Sequence, residues 1–275
     1  MTATACRRAG ASLTAVLATA CALAVTGAPA SASGPARAAP IRAAAQSWPV
    51  AGQNIANTRD QAAETLISPG NVSQLAPAWS ITTAGDVTAT PTMVNNVLYF
   101  PDMGGTLWAV TSTGHVVWSS PVASYTGITG DVSRDSPAID GNELITGDGY
   151  HLKKLNAGAH VFAVNRTTGA LLWSVQVDTD PASIITGSPV VYNGVVYVGV
   201  SSYDESDSSL CCTFRGVVVA LSAVTGQILW KAYTVPSNNN GSDSNLPGYY
   251  SGDGVWGSAP VVDPATGLLY VGNRR

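Results

Sequence analysis

Two adjacent cysteines are the most reactive feature of this 275-residue sequence. Cys211 and Cys212 follow each other directly, and a disulfide between neighbours closes a small, strained ring. An oxidising compartment permits such a bridge, and two free thiols are the alternative. No second pair of Cys or His stands at metal-ligand spacing, and His115, His151 and His160 show no such pattern either. The sequence therefore does not predict a zinc site.

A glycine-rich stretch, Gly252–Gly257, matches the pattern G-x-G-x-x-G. Dinucleotide binding needs a strand before this pattern and a helix after it, and neither is indicated here.

Charged residues make up only 11% of the chain and hydrophobic residues 45%, which excludes a disordered protein. The net charge of −4 offers no basic patch for phosphates, so we expect no nucleic-acid partner.

The first residues have the pattern of an export signal. A basic pair, Arg7-Arg8, precedes an apolar run and a small-residue cleavage site at Ala30-Ser31-Ala32. We interpret residues 1–32 as a secretory signal peptide, with a twin-arginine signal or a lipid anchor at Cys21 as the alternatives. Residues 33–47 are rich in Ala, Pro and Arg and are predicted to be a flexible leader. The expected location is extracellular or periplasmic, without a membrane span.

The rest of the chain has the pattern of short antiparallel strands. The stretch Val190–Val198 places Asn193-Gly194 between two β-branched and aromatic runs, which is a strong hairpin signal. Asn95-Asn96 and Asp140-Gly141 interrupt two similar runs. Helical periodicity is nearly absent, so the sequence predicts an all-β fold.

These hairpins belong to a larger repeat. Each unit begins at a proline and ends with a glycine four residues before a tryptophan, and the tryptophans lie 55 and 57 residues apart. The three tails are Ala109–Trp118, Ala163–Trp173 and Ala220–Trp230, and the four opening prolines are Pro91, Pro137, Pro189 and Pro260. Repeats of this size, with several short strands and a Gly/Trp signature, indicate β-propeller blades. We expect each indole to seal the seam between two blades.

The repeat tail resembles the tryptophan-docking motif of quinoprotein alcohol dehydrogenases, which are eight-bladed propellers that hold pyrroloquinoline quinone (PQQ). Trp48, Gly52, Asn57, Arg59 and the run Ile67–Leu75 resemble the opening segment of that family. Within the family, Cys211–Gly216 is similar to a stretch of secreted polyvinyl-alcohol-dehydrogenase-like quinoproteins. The resemblance implies that residues 48–275 form a partial propeller of four-stranded blades, about half of an eight-bladed ring.

The resemblance also implies a site that contains PQQ and Ca²⁺. Arg134 matches the arginine that hydrogen-bonds the quinone, and Trp256 matches the tryptophan that forms a flat floor under it. Glu205 falls where the family has a glutamate that binds calcium. The residues assigned to the cofactor are Arg134, Thr186, Arg215, Trp256, Cys211 and Cys212. For each of them a solvated loop or a packing role is the alternative.

The activity implied by the resemblance is the oxidation of alcohol groups, small or polymeric, with polyvinyl alcohol or another secondary alcohol as substrate. Electrons would pass to a cytochrome or another acceptor, which must be a separate protein because no C-x-x-C-H haem site occurs. The catalytic aspartate of the family is expected beyond Arg275, so the chain is expected to be a fragment that is inactive alone. The alternatives are a non-catalytic extracellular scaffold propeller and a glycan-binding propeller that uses Tyr249 and Tyr250.

Overall fold

Antiparallel β-sheet dominates the computed structural model, which describes residues 47–149, 157–204, 213–236, 251–257 and 259–273. The strands are β1 (Thr92–Val94), β2 (Val97–Pro101), β3 (Thr106–Thr111), β4 (Val116–Pro121), β5 (Ala138–Asp140), β6 (Glu143–Gly147), β7 (Ala159–Asn165), β8 (Leu171–Asp178), β9 (Ser183–Ile184), β10 (Val190–Tyr192), β11 (Val195–Ser202), β12 (Val217–Ser222), β13 (Ile228–Tyr233), β14 (Val261–Asp263) and β15 (Leu268–Tyr270). The helices are a 3-10 turn, Val72–Gln74, and one α-helical turn, α1 (Ala123–Thr126). The predicted all-β class is confirmed.

The strands form successive propeller blades. Blade 1 contains β1–β4, blade 2 contains β5–β8 and blade 3 contains β10–β13, each in the order of the sequence. The short strand β9 pairs with the end of β11, and β14 with β15 forms the hairpin that begins blade 4. The sheets do not close into a ring among the residues that the structure describes, so the predicted partial propeller is also confirmed.

The first hairpins of blades 1 and 3 turn where the sequence indicated. Asn95 and Asn96 have φ angles of 54° and 63°, and Asn193 and Gly194 have φ angles of 51° and 74°. Asparagine and glycine are the residues that tolerate this left-handed region, which a two-residue hairpin turn requires. In blade 2 the pairing of Asp140 with Glu143 places the turn at Gly141-Asn142, one residue later than the predicted Asp140-Gly141.

The seam between two blades is closed by an indole from the earlier blade. The Trp118 ring lies over Gly169, and its Nε1 donates to the Arg166 carbonyl oxygen at 2.9 Å. The Trp173 ring lies over Gly226 in the same way, and its Nε1 donates to the Ala223 carbonyl oxygen at 2.8 Å. Trp79 likewise covers Gly114 of blade 1. Each docking glycine therefore has a reason to lack a side chain, and the predicted sealing role of the indoles is confirmed for these seams.

The residues before blade 1 connect the first strands of several blades, which are the innermost strands of the propeller. We call residues 47–59 the N-terminal segment. Trp48 exchanges two backbone hydrogen bonds with Met93 of β1, at 2.7 and 2.9 Å. The Pro49 carbonyl oxygen accepts the N–H of Ile139 in β5, and the Ile55 carbonyl oxygen accepts the N–H of Val262 in β14. The segment thus links blades 1, 2 and 4, and its Ala51 and Ile55 side chains pack against the buried cluster that contains Val190 of β10.

Some sequence predictions fall outside the described residues, including the signal peptide 1–32 and nearly all of the leader 33–47. The predicted absence of a membrane span can be examined only in the part of the chain that the structure covers. None of the helices described there is long and apolar enough to cross a bilayer.

The indole seam predicts that Gly169→Ala destabilises the protein more than Gly141→Ala. Both glycines have positive φ angles, 73° and 54°, so each alanine costs about 1–2 kcal/mol in the left-handed region. Only at position 169 would the new Cβ also lie 2.9 Å from the Trp118 ring, whereas nothing lies within 4 Å at position 141. We expect a further loss of about 1–3 kcal/mol for Gly169→Ala, measured as the free energy of unfolding in urea. Equal losses in the two variants would contradict the docking role.

Candidate functional site

Equivalent loops from four blades meet around one polar cavity of about 230 Å³. Each loop directly precedes the first strand of its blade, and the N-terminal segment adds one wall. The lining residues are Ala51 and Arg59 from that segment, Thr88, Ala89 and Thr90 before β1, Arg134, Asp135 and Ser136 before β5, Thr186 and Ser188 before β10, and Trp256, Gly257 and Ala259 before β14. Equivalent positions of the sequence repeats therefore lie side by side around the cavity wall.

Three of the predicted cofactor residues lie in this wall. Arg134, Thr186 and Trp256 come from blades 2, 3 and 4 and face the same cavity, although 122 residues separate the first from the last. The hydroxyl oxygen of Thr186 is buried and has no hydrogen-bond partner among the described residues. The side chain of Arg134 lies against Gly149, where a Cβ would come within 2.8 Å of the arginine Cγ. The resemblance thus predicted residues that the fold does bring together.

The remaining predicted residues are elsewhere or outside the description. Arg215 does not line the cavity; its guanidinium lies 4.0 Å from the centre of the Tyr233 ring and donates to the Val235 carbonyl oxygen at 3.1 Å. Glu205, Cys211 and Cys212 lie outside the described residues, as do Tyr249 and Tyr250. Their proposed roles stay predictions. Among the residues that are described, no group of three His, Cys, Asp or Glu side chains is arranged to hold a metal ion.

A chain of hydroxyl groups connects the loops around the cavity. The backbone N–H of Thr90 donates to the Ser136 hydroxyl at 2.8 Å, and the N–H of Ser136 donates to the Ser188 hydroxyl at 2.8 Å. Each of these residues precedes one of the opening prolines of the repeat. Sequence reasoning noted the prolines but missed the hydroxyl residues before them. The recurring Ser/Thr-Pro pair was the signal that could have revealed these contacts.

A histidine–aspartate pair with a fully buried carboxylate supports the loops that carry Arg134 and Thr186. The Asp148 carboxylate accepts the backbone N–H of His160 at 2.7 Å and contacts its Nδ1 at 2.8 Å. The carbonyl oxygen of Asp148 accepts the N–H of Ile185, and the next residue, Gly149, donates to Val132. Burial lowers the pKa of His160, but the hydrogen bond and charge of Asp148 outweigh it, so the pKa lies above its usual value.

The stretch that resembled a dinucleotide motif positions Trp256 instead. Gly252 exchanges backbone hydrogen bonds with Phe214 and Gly216 of blade 3, and Val255 donates to Val200. A side chain at Gly216 would come within 1.9 Å of the Asp253 carbonyl oxygen. The stretch is therefore held against blade 3, with left-handed φ angles at Gly252, Asp253 and Gly257 and no helix after it in the described residues, and it brings the indole to the cavity.

Asp135 is the carboxylate of the cavity wall, and sequence reasoning did not single it out. It is 2% exposed and accepts hydrogen bonds from the hydroxyls of Ser133 and Thr146, at 2.8 and 3.0 Å, and from the Gly147 N–H at 3.1 Å. Burial raises the pKa of Asp135 to about 7, because the lost hydration of the anion outweighs these three donors. The charge of the cavity therefore changes near neutral pH.

The raised pKa of Asp135 predicts that ionisation of this group weakens the fold. Because its folded-state pKa, about 7, lies above the ordinary value of 3.8, the folded state binds more protons between those values. The wild type should therefore lose up to about 1.4 kcal/mol of unfolding free energy per pH unit relative to Asp135→Asn, between about pH 4 and pH 7. Above pH 7 the difference should be constant. The measurement is urea unfolding of both proteins across this range, and a difference that is flat or grows with pH would contradict the assignment.

Comparison with known proteins gives the chain its relatives. Residues 71–213 match the PQQ_2 family model, described as outer membrane protein assembly factor BamB. The chain is 31% identical to a polyvinylalcohol dehydrogenase of a Pseudomonas species over 82% of its own length and 35% of that protein. It is 30% identical to the polyvinylalcohol dehydrogenase of a Sphingopyxis species over 74% of this chain and 32% of that protein.

A solved structure of an alcohol dehydrogenase is also similar to this chain. The quinohemoprotein alcohol dehydrogenase ADHIIG of Pseudomonas putida superposes with a TM-score of 0.64 at 25% identity, over 83% of this chain and 34% of that one. The chain thus spans about a third of the length of these relatives.

Proposed function

Because the chain belongs to the PQQ_2 family and is related to PQQ-dependent alcohol dehydrogenases, we propose that its axial cavity binds PQQ in a secreted quinoprotein dehydrogenase. The observation that carries the proposal is the convergence of Arg134, Thr186 and Trp256 on one cavity. Bound PQQ would supply an orthoquinone that accepts a hydride from the carbon of an alcohol. The protein would supply binding, orientation and electrostatics.

The residues present suit a flat, anionic cofactor. Arg134 offers a planar guanidinium, which matches the geometry of a carboxylate or a pair of quinone oxygens. The buried Thr186 hydroxyl, without a partner in the described part of the chain, is available to a ligand oxygen. Trp256 is 39% exposed in the cavity wall, so an aromatic cofactor could stack on its indole. These features favour a planar ligand with carboxylates.

A metal ion forms the second part of the proposal. The resemblance to quinoprotein dehydrogenases makes Ca²⁺ the expected partner of the quinone, and Glu205 is the proposed ligand. Carboxylate oxygen is the donor that calcium prefers. Asp135 is the described carboxylate nearest to this role, but its oxygens already accept three hydrogen bonds within the protein. We therefore do not assign it to the metal.

For the complete reaction we propose an alcohol substrate, with polyvinyl alcohol or another secondary alcohol favoured by the two curated relatives. One relative is a hydroxylase whose name includes cytochrome c, and three are quinohemoproteins, so a haem protein is the proposed electron acceptor. The chain has no C-x-x-C-H motif of its own. Export to the extracellular space or periplasm completes the proposal.

A non-catalytic scaffold is the alternative that one observation favours. The matching family model is described as an outer membrane protein assembly factor, which is not the name of an enzyme. A scaffold would have no need for a buried hydroxyl without a partner among the described residues, or for an arginine that lines the same cavity. Binding of PQQ therefore separates the two functions.

The proposal predicts saturable binding of PQQ in the presence of Ca²⁺, and weaker binding by Arg134→Gln. A hydrogen bond to a charged group contributes about 1.5–3 kcal/mol, so the dissociation constant should rise by roughly ten- to a hundredfold. Equilibrium dialysis with PQQ absorbance measures this constant without depending on turnover. A parallel assay follows dye reduction with 2-propanol and with polyvinyl alcohol.

A matched control for this experiment is Arg166→Gln, which removes the same charge from the outer part of blade 2. The Arg166 side chain donates to the Gly141 carbonyl oxygen and does not line the cavity. We expect wild-type affinity for PQQ in this variant. Wild-type protein that binds no PQQ at saturating Ca²⁺ would favour the scaffold, and equal losses in both variants would remove Arg134 from the site.

A further inference from the structure

We propose that Arg59 is a second cofactor-binding arginine, which holds one of the PQQ carboxylates from the N-terminal segment. The inference rests on the proposed function and adds to it a residue that no blade supplies. Arg59 lines the cavity together with Arg134, but the two side chains come from different elements of the fold. A rigid ligand with several carboxylates can use two such separate cations at once.

The local backbone fixes the position of Arg59. Its φ angle is 55°, in the left-handed region that an arginine seldom adopts, and Asn57 has a φ angle of 54°. The N–H of Arg59 donates to the Gly52 carbonyl oxygen at 2.9 Å, which closes the segment into a loop. Strained residues of this kind persist only where the surrounding structure determines them, and they concentrate at binding sites.

Close packing inside the loop maintains this conformation. A Cβ at Gly52 would lie 1.8 Å from the Asn57 side-chain oxygen and 2.7 Å from its Cα, so only glycine fits there. The Asn54 side-chain oxygen accepts the N–H groups of Ala56 and Thr58, which orders the residues just before Arg59. The backbone hydrogen bonds of Trp48 and Ile55 then anchor the loop to blades 1 and 4. The guanidinium is thus carried by a fixed support.

The charges of the cavity wall favour an anionic ligand. Arg59 and Arg134 supply two positive charges, and Asp135 is the carboxylate in the wall. The Asp135 oxygens accept hydrogen bonds from Ser133, Thr146 and Gly147 and form no ion pair with either arginine in the described structure. Since alcohol substrates are uncharged, the carboxylates of the cofactor are the groups that two uncompensated guanidiniums suit.

The test compares PQQ with its trimethyl ester, in which all three carboxylates are neutral. Arg59→Asn removes the charge and keeps a residue that tolerates a positive φ angle. We expect its dissociation constant for PQQ, measured by equilibrium dialysis with Ca²⁺, to rise about tenfold, and its dissociation constant for the ester to equal that of the wild type. Arg59→Lys should recover part of the affinity for PQQ. Lys231→Gln, a change of the same charge on the exposed strand β13, should leave both constants unchanged.

Each outcome has a distinct meaning. Unchanged PQQ affinity in Arg59→Asn would overturn the inference, and an equal loss for PQQ and the ester would show a structural role and also overturn it. If Arg59→Asn does not fold, Arg59→Gly takes its place, since glycine adopts a φ angle of 55° without strain. Wild-type protein that does not bind PQQ would overturn both proposals, whereas wild-type binding with an unaffected Arg59 variant would overturn only this one.

Discussion

The site depends on the backbone hydrogen bonds between the N-terminal segment and the innermost strands. Trp48 pairs with β1, Pro49 accepts from β5, and Ile55 accepts from β14. Innermost strands of a propeller are short and converge, so their spacing is set by what lies at the axis. Here the irregular N-terminal segment accepts N–H groups from these strands, which fixes the distances between the strands. The loops that precede these strands then have defined positions, and those loops are the cavity wall.

The wall combines two kinds of polar contact with different purposes. The hydroxyls of Ser136 and Ser188 are used within the protein, where each accepts an N–H from the preceding blade. The Thr186 hydroxyl and the two arginines are not used in this way among the described residues. Internal contacts give the wall its rigidity, and the remaining groups are those that the proposed anionic cofactor would use. Rigid placement of few polar groups is what a specific ligand site needs.

Much of this arrangement could be predicted from the sequence, because it depends on local pattern. The Asn193-Gly194 turn, the strands around it and the glycine four residues before each tryptophan are local signals, and all are found in the structure. The resemblance to a family singled out Arg134, Thr186 and Trp256, which line one cavity, and their role toward a cofactor stays a prediction. Burial of Asp135 has no local signal, since it depends on packing between distant elements. The left-handed backbone of Arg59 depends on contacts within an irregular loop, which follows no repeating sequence pattern. Arg215 shows the same limit, because its contact with Tyr233 is decided by how β12 and β13 pair.

The docked tryptophans have a consequence for how such chains diversify. At the seams that Trp118 and Trp173 close, an indole from one repeat packs on a glycine turn of the next, so blade 2 carries one donor half and one acceptor half. At the start of blade 4, nothing lies within 4 Å of a Cβ placed at Gly267. Exchange of a whole repeat between related genes therefore preserves both neighbouring seams, whatever the replaced loops contain. The loops before the innermost strands lie outside these seams, and the Ser136 and Ser188 hydroxyls link neighbouring loops to one another. The contacts that dock one blade on the next and the loops that line the cavity therefore occupy different parts of each repeat.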